Sequence, residues 1–176
     1  MKDKLTYINF AGFIILLTCA FFLRPENKPR YIDNFKLFNG FELKKTLEKE
    51  LKVSVNARKL TLDSLRLVLG DMYRELDSSK LGQEENRKKL LLARQLENHI
   101  VLKEKSFAET DVLQAREMDE KIWKQINQYV KDYGEEKGLD IVFGTSGTGN
   151  IMYAKGDLDI TDELVMYINK KYLGKR

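Results

Sequence analysis

The stretch LKVSVNARKLTLDSLRLVLGDMYREL, residues 51–76, decides the fold. Within it Leu51, Val55, Arg58, Leu62, Leu65, Leu69, Met72 and Leu76 recur at alternating steps of four and three. Such steps bring side chains round to one stripe of an α-helix and cannot line up on a strand, whose period is two. The segment therefore reads as one arm of a coiled coil, with Arg58 as a charged interruption.

The stripe ends at DSSKLGQEEN, residues 77–86, where Asp, Ser, Gly and Asn favour a turn and the chain can reverse. A second helix is predicted from about residue 84 to residue 133, through Ala93, Leu96, Ile100 and Phe107, then Ala115, Met118, Ile122, Ile126, Tyr129 and Tyr133. Its stripe shifts phase between Phe107 and Ala115 in the manner of a stutter, and Lys103 and Asp111 stand in it. The predicted seam comprises Leu51, Leu62, Leu65, Leu69, Met72 and Leu76 on one arm, facing Ile100, Phe107, Ile122 and Ile126 on the other. Arms of about forty residues extend on the order of 60 Å, too far for a compact globule of this size, so the hairpin must project.

On either side lie short elements. RPENKPR, residues 24–30, holds both prolines and reads as an extended spacer, followed by a short strand near Tyr31. Beyond Gly134 and Gly138, which should close the second helix, LDIVFG and NIMYAK are two apolar runs around a glycine-rich turn, read as a β-hairpin. Thr161 is an expected N-cap, with Asp162 and Glu163 in the first turn of a terminal helix whose apolar face carries Leu164, Val165, Ile168 and Tyr172. The fold class is α+β: a long antiparallel coiled-coil hairpin, residues 41–133, inserted in a small β-sheet body, residues 28–40 and 138–176. Tyr31, Ile32, Ile141, Phe143, Ile151, Tyr153, Leu164 and Ile168 are its expected core or oligomer interface. A body this thin should gain from self-association.

Residues 1–23 form a separate unit. No charge interrupts the run between Lys4 and Arg24, which is long enough for a membrane anchor. It also reads as a signal peptide, with Thr18 and Ala20 before a cut after Ala20. Cys19, the lone cysteine, excludes an internal disulfide.

Chemistry-bearing motifs are weak. Residues 144–150, GTSGTGN, lack the Gly-Lys-Ser/Thr ending of a phosphate loop. Asp157, Asp159 and Asp162 lack the glycine and final glutamate of a calcium loop, and His99 has no companion ligand. Trp123, Tyr129 and Tyr133 sit at helical spacing near the hairpin base and read as packing. No catalytic residue, metal or cofactor is expected. The formal charge of +4 is spread among acids, so no specific nucleic-acid partner is expected either.

Two stretches, YIDNFKLFNGFELKKTLEKEL (residues 31–51) and IMYAKGDLDITDELVMYINKKY (residues 151–172), with a helical hairpin of matching size between them, resemble the Skp/OmpH family of periplasmic chaperones. The resemblance implies a homotrimer whose helical tentacles shield unfolded outer-membrane protein clients without ATP. It implies residence in the periplasm, soluble after signal cleavage or held at the inner membrane by residues 1–23. A membrane-tethered coiled-coil scaffold for a folded envelope partner is the alternative reading.

Overall fold

A computed structural model describes residues 29–78, 82–147, 149 and 151–174. The expected signal or anchor segment, residues 1–23, and part of the hairpin tip lie outside them. Among the described residues no helix is long and apolar enough to cross a membrane.

The chain begins with strand β1 (Arg30–Asp33) and a short helix α1 (Asn34–Gly40), whose N-terminus is capped where Asp33 Oδ1 accepts the amide of Lys36 at 3.0 Å. The helix breaks at Phe41, which is extended (φ −83°, ψ 125°), and restarts as α2 (Glu42–Asp77). Asn169 staples this break: its Nδ2 donates to the carbonyl of Gly40 and its Oδ1 accepts the amide of Glu42, both at 2.8 Å. The helix α1 was not foreseen, because the opening strand was expected to lead straight into the first long helix.

The return arm is α3 (Gln83–Lys137), 55 residues in one helix. It does not end at Gly134. It closes at Gly138, whose φ of +64° lets the amide of Leu139 reach back to the carbonyl of Gly134 at 2.9 Å. Antiparallel pairing with α2 shows in the cross-arm bonds Arg58–Asp111, Arg66–Glu104 and Tyr73–Glu97, whose sequence separations shrink from 53 to 38 to 24 toward the tip.

Burial separates base from arm. Between residues 44 and 121 only Ala93 and Ile100 among the described residues are buried, while every expected seam residue of α2 is half-buried. Two helices alone enclose few side chains on all sides. The base instead packs four helices and a strand around Ile32, Leu37, Phe41, Leu43, Ile122, Ile126, Tyr129, Tyr133, Ile160, Leu164 and Ile168. At roughly 1.5–3 kcal/mol for each fully buried large apolar side chain, this cluster is where apolar burial among the described residues is concentrated. Phe41 anchors it edge-on to Tyr129 and Tyr172, with ring centroids 6.1 and 5.6 Å away.

The phase shift in α3 has a simple origin. From residue 90 to residue 133 the helix repeats every eleven residues: Leu96, Phe107, Met118 and Tyr129 occupy one inner position, and Ile100, Asp111, Ile122 and Tyr133 another. An eleven-residue repeat advances 3.67 residues per turn against 3.5 for sevens, so a stripe followed in sevens falls behind by about one residue in six turns.

The sheet differs from expectation. Strand β2 (Val142–Thr145) pairs in parallel with β1, in register Arg30 with Val142 through Asp33 with Thr145, and forms no hairpin with residues 151–154, which are not strand. On its other edge β1 receives a bridge from Asp159, with the amide of Ile160 donating to the carbonyl of Tyr31 at 3.0 Å. A 3-10 turn (Gly156–Leu158) leads into the last helix, α4 (Thr161–Gly174). Thr161 acts less as a cap than as a tie: its buried hydroxyl accepts the amide of Asp33 at 2.9 Å, and Asp159 Oδ1 accepts the amide of Thr161 at 2.8 Å.

Candidate interaction surfaces

The body presents one face that its own core does not use. Of the eight residues expected in the core or interface, Ile32, Leu164 and Ile168 are buried in the core, and Tyr31 and Ile151 are half-buried. Ile141, Phe143 and Tyr153 are exposed by 45%, 46% and 83%, with Met152 beside them at 88%. Phe143, Tyr153 and Met152 line an open groove of about 720 Å³ whose floor is Tyr31. Next to it the outer edge of β2 has no strand neighbour among the described residues, because the sheet holds β1 and β2 alone. The apolar wall and open edge arise together: IMYA carries strand-forming side chains, yet among the described residues it pairs with no strand.

A second concave region is polar. Arg30, Tyr133, Lys137, Asp157 and Glu163 meet where α3, β1 and α4 converge. Its polar groups are engaged: Arg30 donates to the backbone carbonyl of Asp157 at 2.5 Å, and Lys137 pairs with Glu163 at 3.0 Å. Burial, then a bond to Glu163, pushes the Tyr133 phenol far up, while Tyr133 and Lys137 hold Glu163 below the usual carboxylate range. Nearby, bonds from Lys171 and Tyr167 lower Glu136 in the same way. This network clamps α4 to α3. Among the described residues no three acidic, His or Cys side chains converge as a metal cage. Asp159, one of the residues weighed for calcium, is engaged with the Thr161 amide.

The aromatic residues of α3 pack inward: Tyr129 and Tyr133 are buried, and Trp123 stacks on Phe38 with centroids 5.3 Å apart. Of the predicted seam, Ile100, Ile122 and Ile126 are buried and Phe107 is half-buried under Lys103, whose Nζ lies 5.2 Å from the ring centroid. Arg58 does not break the seam; it bonds Asp111 and Gln114, each at 2.7 Å, so Arg58 and Asp111, charged interruptions on opposite arms, neutralise one another.

Sequence reading gave no notice of the outward face of the arms. Val53, Leu60 and Leu67 on α2, and Leu91, Val101, Leu102, Val112 and Leu113 on α3, are all more than half exposed. Monomeric surfaces tolerate scattered apolar side chains, whereas these fall into rows.

No curated protein matches the chain in sequence. Its fold resembles a crystal structure from Caulobacter crescentus, described as that of a candidate outer membrane chaperone (OmpH-like), with a TM-score of 0.67 and 14% identity over 81% of this chain and 84% of that one. At that identity the likeness is one of fold. The profile of the family described as outer membrane protein (OmpH-like) matches residues 28–168, spanning β1, both arms of the hairpin and most of α4. The chain belongs to the OmpH-like family.

Proposed function

We propose that this protein is an ATP-independent holdase that binds unfolded outer-membrane proteins in the periplasm. The observation that carries the reading is the pair of long helices joined to a small body, with little buried between them and rows of apolar side chains outside. Many weak contacts spread along a pliant arm retain an irregular chain, because each additional contact forms at high effective concentration. A single preformed pocket would select one shape and reject the rest.

Association through the body is part of the same reading. The open edge of β2 and the unpaired segment 151–155 are complementary halves of one ladder, and both sit beside the exposed Phe143 and Tyr153. In a closed ring each copy's segment pairs with its neighbour's β2, and every edge is satisfied. Three copies would set three arms around a shared cavity, as the family resemblance implies.

Two measurements test this. The purified chain, without nucleotide, should suppress aggregation of a urea-denatured outer-membrane barrel at near-stoichiometric ratios, and unchanged light scattering across that range would refute it. Sedimentation equilibrium should give the mass of three chains for the wild type and of one for Phe143→Asp; a monomeric wild type would refute the ring.

A further inference from the structure

The outer face of α3 repeats as regularly as its seam. Leu90-Leu91, Val101-Leu102 and Val112-Leu113 are apolar pairs spaced eleven residues apart, and Arg94, Lys105 and Arg116 follow at the same interval. Each cation stands three residues beyond one member of a pair and four beyond the other, so it lies on the same face one turn further along. Eleven residues turn a helix through three full turns and about 20° more, which keeps the three layers in one nearly straight stripe. Leu91, Leu102 and Leu113 are 54%, 68% and 54% exposed, so α2 covers none of them. Arg94, Lys105 and Arg116 are exposed and form no ion pair with another described residue, although most other arm cations do. Between residues 90 and 116 one carboxylate, Glu109, shares the face, beside Val112 and Leu113; Glu120, eleven residues on, lies one turn beyond Arg116.

The geometry points to a docking stripe on α3 for an extended, apolar and acidic segment of a client polypeptide. This rests on the holdase reading and names where the client is gripped and which part of it. Layers recur about every 16 Å and the stripe spans about 33 Å, the length of roughly ten residues of extended chain. Some five residues separate successive layers, so an alternating strand would offer its apolar side to one layer and its polar side to the next. A segment apolar on both sides satisfies all three, and such a segment is the part of an unfolded chain most prone to aggregate. Three unpaired cations against one carboxylate select acidic flanks. The same excess disfavours a second copy of α3 as occupant, because the two stripes would oppose like charges.

The test uses the full chain and two fluorescein-labelled peptides of about twelve residues, identical in their Val, Leu and Ala core but flanked by Glu in one and Lys in the other. Fluorescence anisotropy at low salt should show the acidic peptide binding about tenfold more tightly, with the advantage shrinking as salt screens it. Leu91→Gln, Leu102→Gln and Leu113→Gln together should weaken both peptides about tenfold; these side chains are exposed and Gln suits a helix, so the fold should be unchanged by circular dichroism. Arg94→Gln, Lys105→Gln and Arg116→Gln together should remove the acidic preference and leave the apolar contact. Equal affinity for the two peptides, or wild-type binding by the Leu variant, would overturn the stripe. So would a Leu variant of smaller oligomeric mass, which would mean that a second copy covers the face. If the Leu variant still suppresses barrel aggregation as well as the wild type, the stripe fails and the holdase stands. If the wild type suppresses nothing yet binds the acidic peptide through the three leucines, the holdase fails and the stripe stands.

Discussion

Arg58 offers a direct test of how the arm is held together. Its side chain is 16% exposed and that of Asp111 35%, and the guanidinium reaches both Asp111 and Gln114 across the seam. Replacing Arg58 with Ala removes these bonds and strands a carboxylate between two helices. A fully enclosed orphan charge costs about 3–5 kcal/mol. Here a third of the Asp111 side chain already meets water, so solvent recovers much of the loss and about 1–2 kcal/mol is expected. That raises the equilibrium opening of the arm roughly 5- to 30-fold. Because the base packs independently around Phe41 and Tyr129, the effect should stay local. Hydrogen exchange should quicken at amides between residues 58 and 110 and hold steady between residues 122 and 133. Arg58→Leu, with Asp111→Leu to remove the orphan charge, should exchange no faster than the wild type, since an apolar pair suits the seam at least as well. Uniform acceleration along the whole of α3, or none anywhere, would refute a clasp acting locally.

Other perturbations probe the base. Phe41→Ala empties a fully buried site between Tyr129 and Tyr172 and should cost about 3–5 kcal/mol, read as a large fall in the thermal midpoint. Asn169→Ala removes both bonds stapling the α1–α2 break, for about 2 kcal/mol by urea denaturation; a loss under a few tenths would show that the break needs no staple. Glu136 and Glu163 have folded-state pKa values lowered from 4.5, so the stability they lend is complete above that value and disappears as pH falls through the lowered ones. Amides of α4 should therefore lose protection on acidification while those of the arm's Ala93–Ile100 turn change less, and equal behaviour of the two regions would contradict the clamp.

The hairpin was legible because a helical period over 26 residues of α2 has no competing reading, and the family resemblance in residues 31–51 and 151–172 agreed with it. The eleven-residue repeat of α3 was equally present in the letters but hidden by a search in sevens, and with it the outer stripe went unseen. The sheet was misread for a different reason. IMYA at 151–154 has the composition of a strand, but strand formation needs an edge to pair with, and composition carries no information about which edge is within reach. For the same reason Phe143 and Tyr153 were expected in the body's core or at an oligomer interface with nothing to decide between the two, and both lie exposed: apolar side chains of a core and of an interface look alike in one sequence. Helix α1 is too short to show a period, and its one local signal was Asp33, three residues ahead of the amide it caps.

The two arms follow different repeats, and this bears on how the arm works. Leu51, Arg58, Leu65 and Met72, with Val55, Leu62, Leu69 and Leu76, repeat in sevens, which on a straight helix drifts about 20° backward per repeat and favours left-handed supercoiling. The elevens of α3 drift about 20° forward and favour the opposite hand. Neither helix can follow its own seam along the whole arm without turning away from the other's. A compromise geometry leaves contacts incomplete over a long interval, which matches the half-buried state of every expected seam position on α2. Near the base α4 and β1 cover what the mismatch exposes; farther out no other described element does, and cross-arm bonds such as Arg58–Asp111 and Arg66–Glu104 keep register where packing does not. Replacing the inner residues of 90–121 so that the seam repeats in sevens matched to α2, with Leu91, Leu102, Leu113, Arg94, Lys105 and Arg116 retained on the outer face, should stiffen the arm and raise its hydrogen-exchange protection. If pliancy is what lets the arm follow irregular chains, the same change should slow client capture while leaving oligomeric mass untouched. A stiffened arm that captures as fast as the natural one would show that the mismatch has no part in the grip.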